Sequence, residues 1–231
     1  MYFKKFEIHN FLCNKEGNLT LFNLVNMMIE TSGEESNKNN MGFKDLLKMN
    51  YYWMIHKWKI EINKTIPKNS CIKIYTWPSK FDKLNCYREF KVCDKDDNIL
   101  AIATAIFVIV DINKLKPVLV NENIKNSFKL YDKLNFDLIE RIEVSKELIK
   151  LDTFKIRNYD IDENNHVNNS VYIKWIEDII NKKIYKLNLI YNKELRNKDF
   201  IYVYGNKQLN YIEIQSDEGV NFRANIEFLD Y

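Results

Sequence analysis

The densest cluster of groups able to do chemistry is Asp160-Ile161-Asp162-Glu163-Asn164-Asn165-His166-Val167-Asn168-Asn169. Asp162, Asn164 and His166 alternate with a period of two, so an extended approach projects their side chains to one side. An acid, an amide and an imidazole converging there suit stabilisation of an oxyanion and handling of a water proton. Asn and Asp at a helix entrance are also ordinary capping residues, because they accept from the free backbone N–H groups of the first turn. Capping uses one or two such residues, and here several stand together. The apolar pattern that follows, Val167 to Ile180, predicts a helix whose N-terminus lends the cluster positive potential.

The elements that must hold this cluster occur twice. An apolar stripe at Leu19 to Ile29, carried by Leu21, Leu24, Val25, Met28 and Ile29, resembles the one at Val167 to Ile180 at an offset of 147. Each predicted helix is followed by strand, polar turn and strand. Trp58 to Ile62 leads through Pro67-Lys68-Asn69 to Cys71–Tyr75, and Leu187 to Tyr191 leads through Arg196 to Asp199 into Phe200–Tyr204, at an offset of 129. The difference places about eighteen extra residues between helix and strand of the first half, over Ser32 to Tyr52. A third match sets Tyr87 to Val92, the Asp94 to Asn98 turn and Ile99 to Val110 beside Tyr211 to Gln215, Ser216 to Gly219 and Val220 to Leu229. Alternating β-rich segments around turn residues read as antiparallel hairpins. The expected class is α+β: a tandem double hotdog, each half a long central helix wrapped by an antiparallel sheet. Its parts are an N-terminal unit over residues 1–118, a surface connection over 119–147 and a C-terminal unit over 148–231.

Composition limits the alternatives. Aromatics at 14% and hydrophobic residues at 46% describe a packed globular chain rather than a disordered one. The formal charge of +3, without a run of five like charges, carries no nucleic-acid footprint. Cys13, Cys71, Cys86 and Cys93 lack CxxC spacing, and with three His in the chain neither a metal nor another cofactor is expected. They read as reduced, mostly buried thiols of a cytoplasmic protein. Met1 to His9 contains no apolar signal core, and no stretch has the length of a membrane span.

The run from Asp160 to Trp175, with Asp162, Asn164, His166-Val167-Asn168-Asn169, Tyr172 and Trp175, resembles the signature of the acyl-carrier-protein thioesterases of plants and bacteria. The likeness extends to Ile29-Glu30-Thr31-Ser32-Gly33-Glu34, Trp58, Phe81, Arg88-Glu89-Phe90, Val108-Ile109-Val110-Asp111 and Lys116-Pro117. The resemblance implies hydrolysis of fatty acyl thioesters on acyl carrier protein, with catalytic residues Asp162, Asn164, His166 and Glu194. Plant members carry Cys directly after that Glu. Here the place is Leu195, so water attack assisted by carboxylate replaces a Cys nucleophile. Glu35 stands where members often have His, a change expected to be neutral for catalysis.

The repeat offsets set Asn164 on Gly17, His166 on Leu19 and Glu194 on Thr65, which leaves the first half catalytically inert and free to enclose the acyl chain. Glu194 carries an objection: Leu187, Leu189 and Tyr191 form the apolar face of their strand, and Glu194 falls on the opposite parity unless the strand end redirects it. Met27, Met28, Leu46, Leu47 and Met49 line a pocket or pack a core. The implied partner is acyl carrier protein, with no nucleic acid or membrane, and the assembly is a monomeric pseudo-dimer or a homodimer. The rival functions are acyl-coenzyme A hydrolysis and non-catalytic acyl binding; no segment resembles a dehydratase motif.

Overall fold

Thr20 opens the first helix, α1 (Leu21–Lys38), by accepting a hydrogen bond from the Asn23 amide at 3.2 Å. Leu21, Leu24, Val25 and Met28 form its buried stripe. The helix continues well past Ile29, where the apolar pattern stops, because the next polar residues satisfy themselves. Thr31 Oγ1 donates to the Met27 carbonyl at 2.7 Å, and Ser32 Oγ to that of Ile29 at 2.8 Å. The extra segment of the first half is thus largely helical, since α2 (Phe43–Lys48) follows after a tight corner. Gly42 makes that corner possible: a Cβ there would lie 1.7 Å from Oδ1 of Asn37.

The computed structural model describes residues 1–162, 165–196 and 200–229. They form two compact units, residues 1–56 with 62–137 and residues 57–61 with 138–231. In the first, β1 (Tyr2–Glu7), β2 (Tyr51–Ile62), β3 (Cys71–Asp82), β4 (Asn85–Cys93) and β5 (Ile99–Asp111) lie in the order β2-β5-β4-β3-β1, and β6 (Lys116–Val118) pairs with β5. In the second, β7 (Ile149–Lys155) precedes a short α-helix that leads into β8 (Ile184–Tyr191), β9 (Phe200–Gly205), β10 (Tyr211–Ser216) and β11 (Gly219–Phe228). Their order is β8-β11-β10-β9-β7, with Lys57–Glu61 antiparallel to β8. The two orders are the same topology, as the repeat predicted, but β2 and β3, and β8 and β9, read from the sequence as hairpins, are not neighbours: β5 and β11 pair with β2 and β8 instead. Each unit also has a strand before its helix, β1 or β7, that the hairpin pattern did not reveal. Both are edge strands whose residues are largely exposed, so their hydrophobic alternation is weak.

The first part of the segment 119–147, expected to be a surface connection, packs into the first unit. Val120, Ile124 and Phe128, the last two in and after α3 (Glu122–Asn126), are buried in one cluster with Met41, Leu46, Cys86 and Ile109. Apolar spacing at 120, 124 and 128 matches one helical face, which anchors the segment to the first unit. Farther on, the Asn135 side-chain amide donates to the Phe90 and Ala103 carbonyls, each at 2.8 Å, and Trp77 Nε1 donates to the Lys133 carbonyl at 2.8 Å. Glu35 pairs with Arg88 between α1 and β4, both side chains nearly buried, so the residue found in place of His is engaged in packing the first unit. Among the described residues no helix is long and apolar enough to cross a membrane.

Candidate active site

A 3-10 turn at Asn158–Asp160 delivers the chain to the polar cluster. Asp160 is buried, accepting from the Arg157 amide at 2.9 Å through Oδ2, while its carbonyl accepts from the Asn168 amide at 2.9 Å. This residue closes the loop and caps rather than facing the site. Within the loop the Asp162 amide donates to the His166 carbonyl at 2.8 Å, and the His166 amide returns to Oδ1 of Asp162 at 3.3 Å. Asn165 adopts φ 61, a left-handed turn that Asn tolerates, and its amide donates to the Asp162 carbonyl at 3.0 Å. Helix α4 (Asn169–Ile179) then begins, capped by Asn168, whose Oδ1 accepts from the Ser170 amide at 3.0 Å. Glu163 and the candidate Asn164 lie outside the described residues.

His166 and Glu194 are brought together: Nε2 of the imidazole lies 3.0 Å from Oε2 of the carboxylate, with both side chains partly shielded. The parity objection is resolved at the end of β8. The Asn192 and Lys193 amides both donate to one acceptor, the Asn221 carbonyl, at 2.7 and 3.2 Å. Two successive amides turned to one carbonyl break the strict alternation of the strand, and Glu194 is redirected. Leu195, buried, takes the Val167 amide on its carbonyl at 2.8 Å and so ties this exit to the motif loop.

The first unit contains the same loop. The Asn14 amide donates to the Asn18 carbonyl at 2.8 Å, the Asn18 amide to Oδ1 of Asn14 at 3.0 Å, and the Gly17 amide to the Asn14 carbonyl at 2.9 Å. Gly17 has φ 77, as Asn165 has its left-handed turn. Leu19 donates to the Ile66 carbonyl at 2.8 Å as Val167 does to Leu195, and Asn63 and Lys64 both donate to the Leu100 carbonyl. The register therefore sets Asp162 on Asn14 and His166 on Asn18, one residue from the offset read in the sequence, and keeps Glu194 on Thr65. No imidazole–carboxylate pair occupies this copy.

An aromatic block backs the loop in the second unit. Tyr172 lies 5.2 Å from Trp175 and 5.3 Å from both Tyr191 and Phe222, measured between ring centroids. The Tyr191 hydroxyl donates to the Asn169 carbonyl at 2.6 Å. Burial pushes the Tyr172 and Tyr191 phenols up, so both stay neutral. Tyr172 and Trp175 are core residues, as their helical spacing suggested, and the hydroxyl bond of Tyr191 carries no signal in sequence. Met27, Met28 and Leu46 are buried in the first unit, whereas Leu47 and Met49 are exposed.

Cys86 and Cys93 are buried, and burial raises both thiols, that of Cys86 to about 12. Cys71 is exposed and Cys13 half-buried, where mostly buried thiols were expected. Among the described residues no group of three or more His, Cys, Asp and Glu is arranged to hold a metal ion. A cleft of about 530 Å³ in the second unit, walled by Lys59, Arg141, Lys186 and Tyr211 among others, includes none of Asp162, His166 or Glu194. The site can position a water molecule or a carbonyl at an imidazole–carboxylate pair beside a helix N-terminus.

The family model for the acyl-ACP thioesterase N-terminal domain matches residues 1–128, and that for the acyl-ACP thioesterase C-terminal domain matches residues 142–228. A chloroplastic acyl-[acyl-carrier-protein] hydrolase of Cuphea viscosissima is 25% identical over 222 residues, which cover 84% of this chain and 52% of that protein. The chain thus spans about half the length of this curated relative. A solved acyl-ACP thioesterase from Bacteroides thetaiotaomicron superposes with a TM-score of 0.89 at 23% identity, covering 98% of this chain and 97% of that one. The 12:0-ACP thioesterase from Umbellularia californica gives 0.83 at 14% identity, covering 99% and 96%. The fold is the tandem hotdog.

Proposed function

Because this chain belongs to the acyl-ACP thioesterase family, we propose that it hydrolyses fatty acyl-acyl-carrier-protein thioesters to free fatty acid and carrier protein. The observation that carries this reading is the contact of His166 Nε2 with Glu194 Oε2 at 3.0 Å, at the entrance to α4. Water attacks the thioester carbonyl, the C–S bond breaks, and the carrier thiol leaves with one proton of that water. Glu194 or Asp162 accepts the proton during attack, and Asn164 orients the water or the carboxylate. His166 steadies the carbonyl oxygen or protonates the departing sulfur. Leu195 offers no nucleophile, and the raised thiols of Cys86 and Cys93 hold too little thiolate to supply one.

The acyl chain binds in the first unit. Beside α4 the interior is filled by Tyr172, Tyr191 and Phe222, while the matching places of the first unit hold the smaller Leu24, Ile62 and Ala101. The N-terminal unit is the binding half and the C-terminal unit the catalytic half, acting in the cytoplasm as a monomer or homodimer. Kinetics on matched acyl groups test the assignment. Carrier-protein thioesters should be turned over with higher kcat/KM than coenzyme A thioesters, since protein contacts add binding energy usable in the transition state. Equal or better kcat/KM on coenzyme A transfers the assignment to an acyl-coenzyme A hydrolase.

A further inference from the structure

Two copies of one scaffold in a single chain supply an internal control. What both copies share serves the fold, and what only the copy with His166 and Glu194 carries is a candidate for serving the chemistry. In each copy the last loop residue pairs antiparallel with a residue beyond the strand exit, His166 with Arg196 and Asn18 with Pro67. The flanking bonds match as well, from the Val167 amide to the Leu195 carbonyl and from the Leu19 amide to the Ile66 carbonyl, each at 2.8 Å. Opposite His166 the second unit therefore carries a guanidinium where the first unit carries a neutral ring.

The flanking bond joins the residue after His166 to the residue before Arg196, so these two form a non-hydrogen-bonded pair. That is the narrower kind, with Cα atoms about 4.5 Å apart and side chains leaving on one side. Glu194, two residues before Arg196, is the diagonal neighbour on the same side, in keeping with its 3.0 Å contact to Nε2 of His166. The buried Leu195 between them takes the opposite side. Shielding falls along this row: the His166 side chain is 18% exposed, that of Glu194 30%, and Arg196 is exposed. Arg196 thus stands at the solvent lip of the pair. Lys193, the other cation of this exit, donates to the Glu218 carbonyl at 2.8 Å, and Arg88 and Arg223 are ion-paired with Glu35 and Glu213. Among the described residues Arg196 has no such engagement.

We propose that Arg196 is a specificity-determining residue, which binds an anionic group on the carrier side of the substrate as the thioester reaches His166 and Glu194. A carrier protein is too large to enter a shielded pair, so only the arm bearing the thioester crosses the lip. An exposed guanidinium there meets what lies beyond the sulfur. Its fork of N–H donors matches phosphate and carboxylate oxygens. The anion is the phosphate of the phosphopantetheine arm, which coenzyme A also carries, or a carboxylate on the carrier's surface.

This inference rests on the proposed hydrolysis of carrier thioesters, and a substrate series separates the two. The parent, Arg196→Lys, Arg196→Gln and Arg196→Glu are assayed on one acyl group carried by acyl carrier protein, by coenzyme A and by N-acetylcysteamine, the last of which has no anionic group. On the carrier-protein thioester kcat/KM should fall about 10-fold in Arg196→Gln, further in Arg196→Glu and least in Arg196→Lys. The loss should lie in KM, with kcat within about twofold, and should shrink at about 0.5 M NaCl, because rim charges act on encounter and are screened by salt. On the N-acetylcysteamine thioester kcat/KM should stay within about twofold of the parent. A matching loss on coenzyme A assigns the anion to the arm phosphate, and a loss on the carrier protein alone assigns it to a carrier carboxylate. Equal losses on all three thioesters, or parental kcat/KM on the carrier thioester in Arg196→Glu, overturn the role of Arg196 while leaving the hydrolysis in place. A parent that hydrolyses none of the three refutes the proposed function and this inference with it.

Discussion

Asn14 and Asp162 hold the same place in two copies of one loop, and each accepts through Oδ1 the amide hydrogen of the residue four positions on, at 3.0 Å from Asn18 and 3.3 Å from His166. The bond that shapes the loop therefore needs an oxygen and no charge. Asp162→Asn should keep the fold and the loop, with Tm within about 2 °C of the parent, so that any fall in kcat reports the charge alone. Asp162→Ala, which deletes the acceptor, should cost about 1 kcal/mol of stability in urea melts. A large Tm loss in Asp162→Asn would contradict the equivalence of the two loops.

His166→Ala and Glu194→Gln should each depress kcat by about 10²-fold to 10⁴-fold, and their combination should lose far less than the product, because the pair works as a unit. Single-turnover rates on one acyl-carrier-protein substrate check this. Glu194→Gln at the parental rate would move the base role to Asp162.

Thiol chemistry should be dispensable. Iodoacetamide should label the exposed Cys71 while burial protects Cys86 and Cys93, and the labelled enzyme should retain kcat within about twofold. Rapid quenching that traps an acyl group on any Cys would instead establish a covalent route.

Two buried glutamates should give opposite pH signatures. Burial lifts Glu89 above its ordinary value of 4.5, against hydrogen bonds from Thr104, Ser79 and Asn135. Burial acts on Glu213 as well, but hydrogen bonds from Arg223, Tyr211 and Gln215 outweigh it and hold that carboxyl below 4.5. For Glu89 the folded state binds the proton more tightly, so its penalty grows as pH rises from 4.5 to the raised value and is complete above it. For Glu213 the contribution is complete above 4.5 and vanishes as pH falls through the lowered value. Relative to the parent, Glu89→Gln should become more favourable in Tm between about pH 4 and about pH 8. Glu213→Gln should be most harmful near neutrality and lose that cost in acid. Parallel profiles for the two variants would refute the assignment.

Ile124→Ala should destabilise the chain by ~2–5 kcal/mol, the cost of a cavity among Met41, Leu46, Ile109 and Phe128. Urea melts followed by tryptophan fluorescence measure it. A change below about 0.5 kcal/mol, the size usual for surface sites, would return this segment to a surface connector.

Periodicity and turn chemistry are local properties, and what they determine was legible in the chain: the hairpins β4–β5 and β10–β11, the two helices, their repetition, and the motif carrying Asp162 and His166. What lay beyond reach depended on bonds between segments remote in sequence. Strand parity pointed Glu194 away from the site, and only the Asn221 carbonyl, by taking two amides at once, turned it toward His166. Helix matching left the loops one residue out of register, because apolar stripes tolerate a slip that paired hydrogen bonds such as those of Asn14 and Asp162 do not. Tyr172 read as helix core and is core, but the bond from the Tyr191 hydroxyl to the Asn169 carbonyl exists only once β8 is folded against α4. Chemistry at this site follows from residue types written in the chain, and its geometry from carbonyls and amides, which every residue possesses and which only tertiary packing assigns to partners.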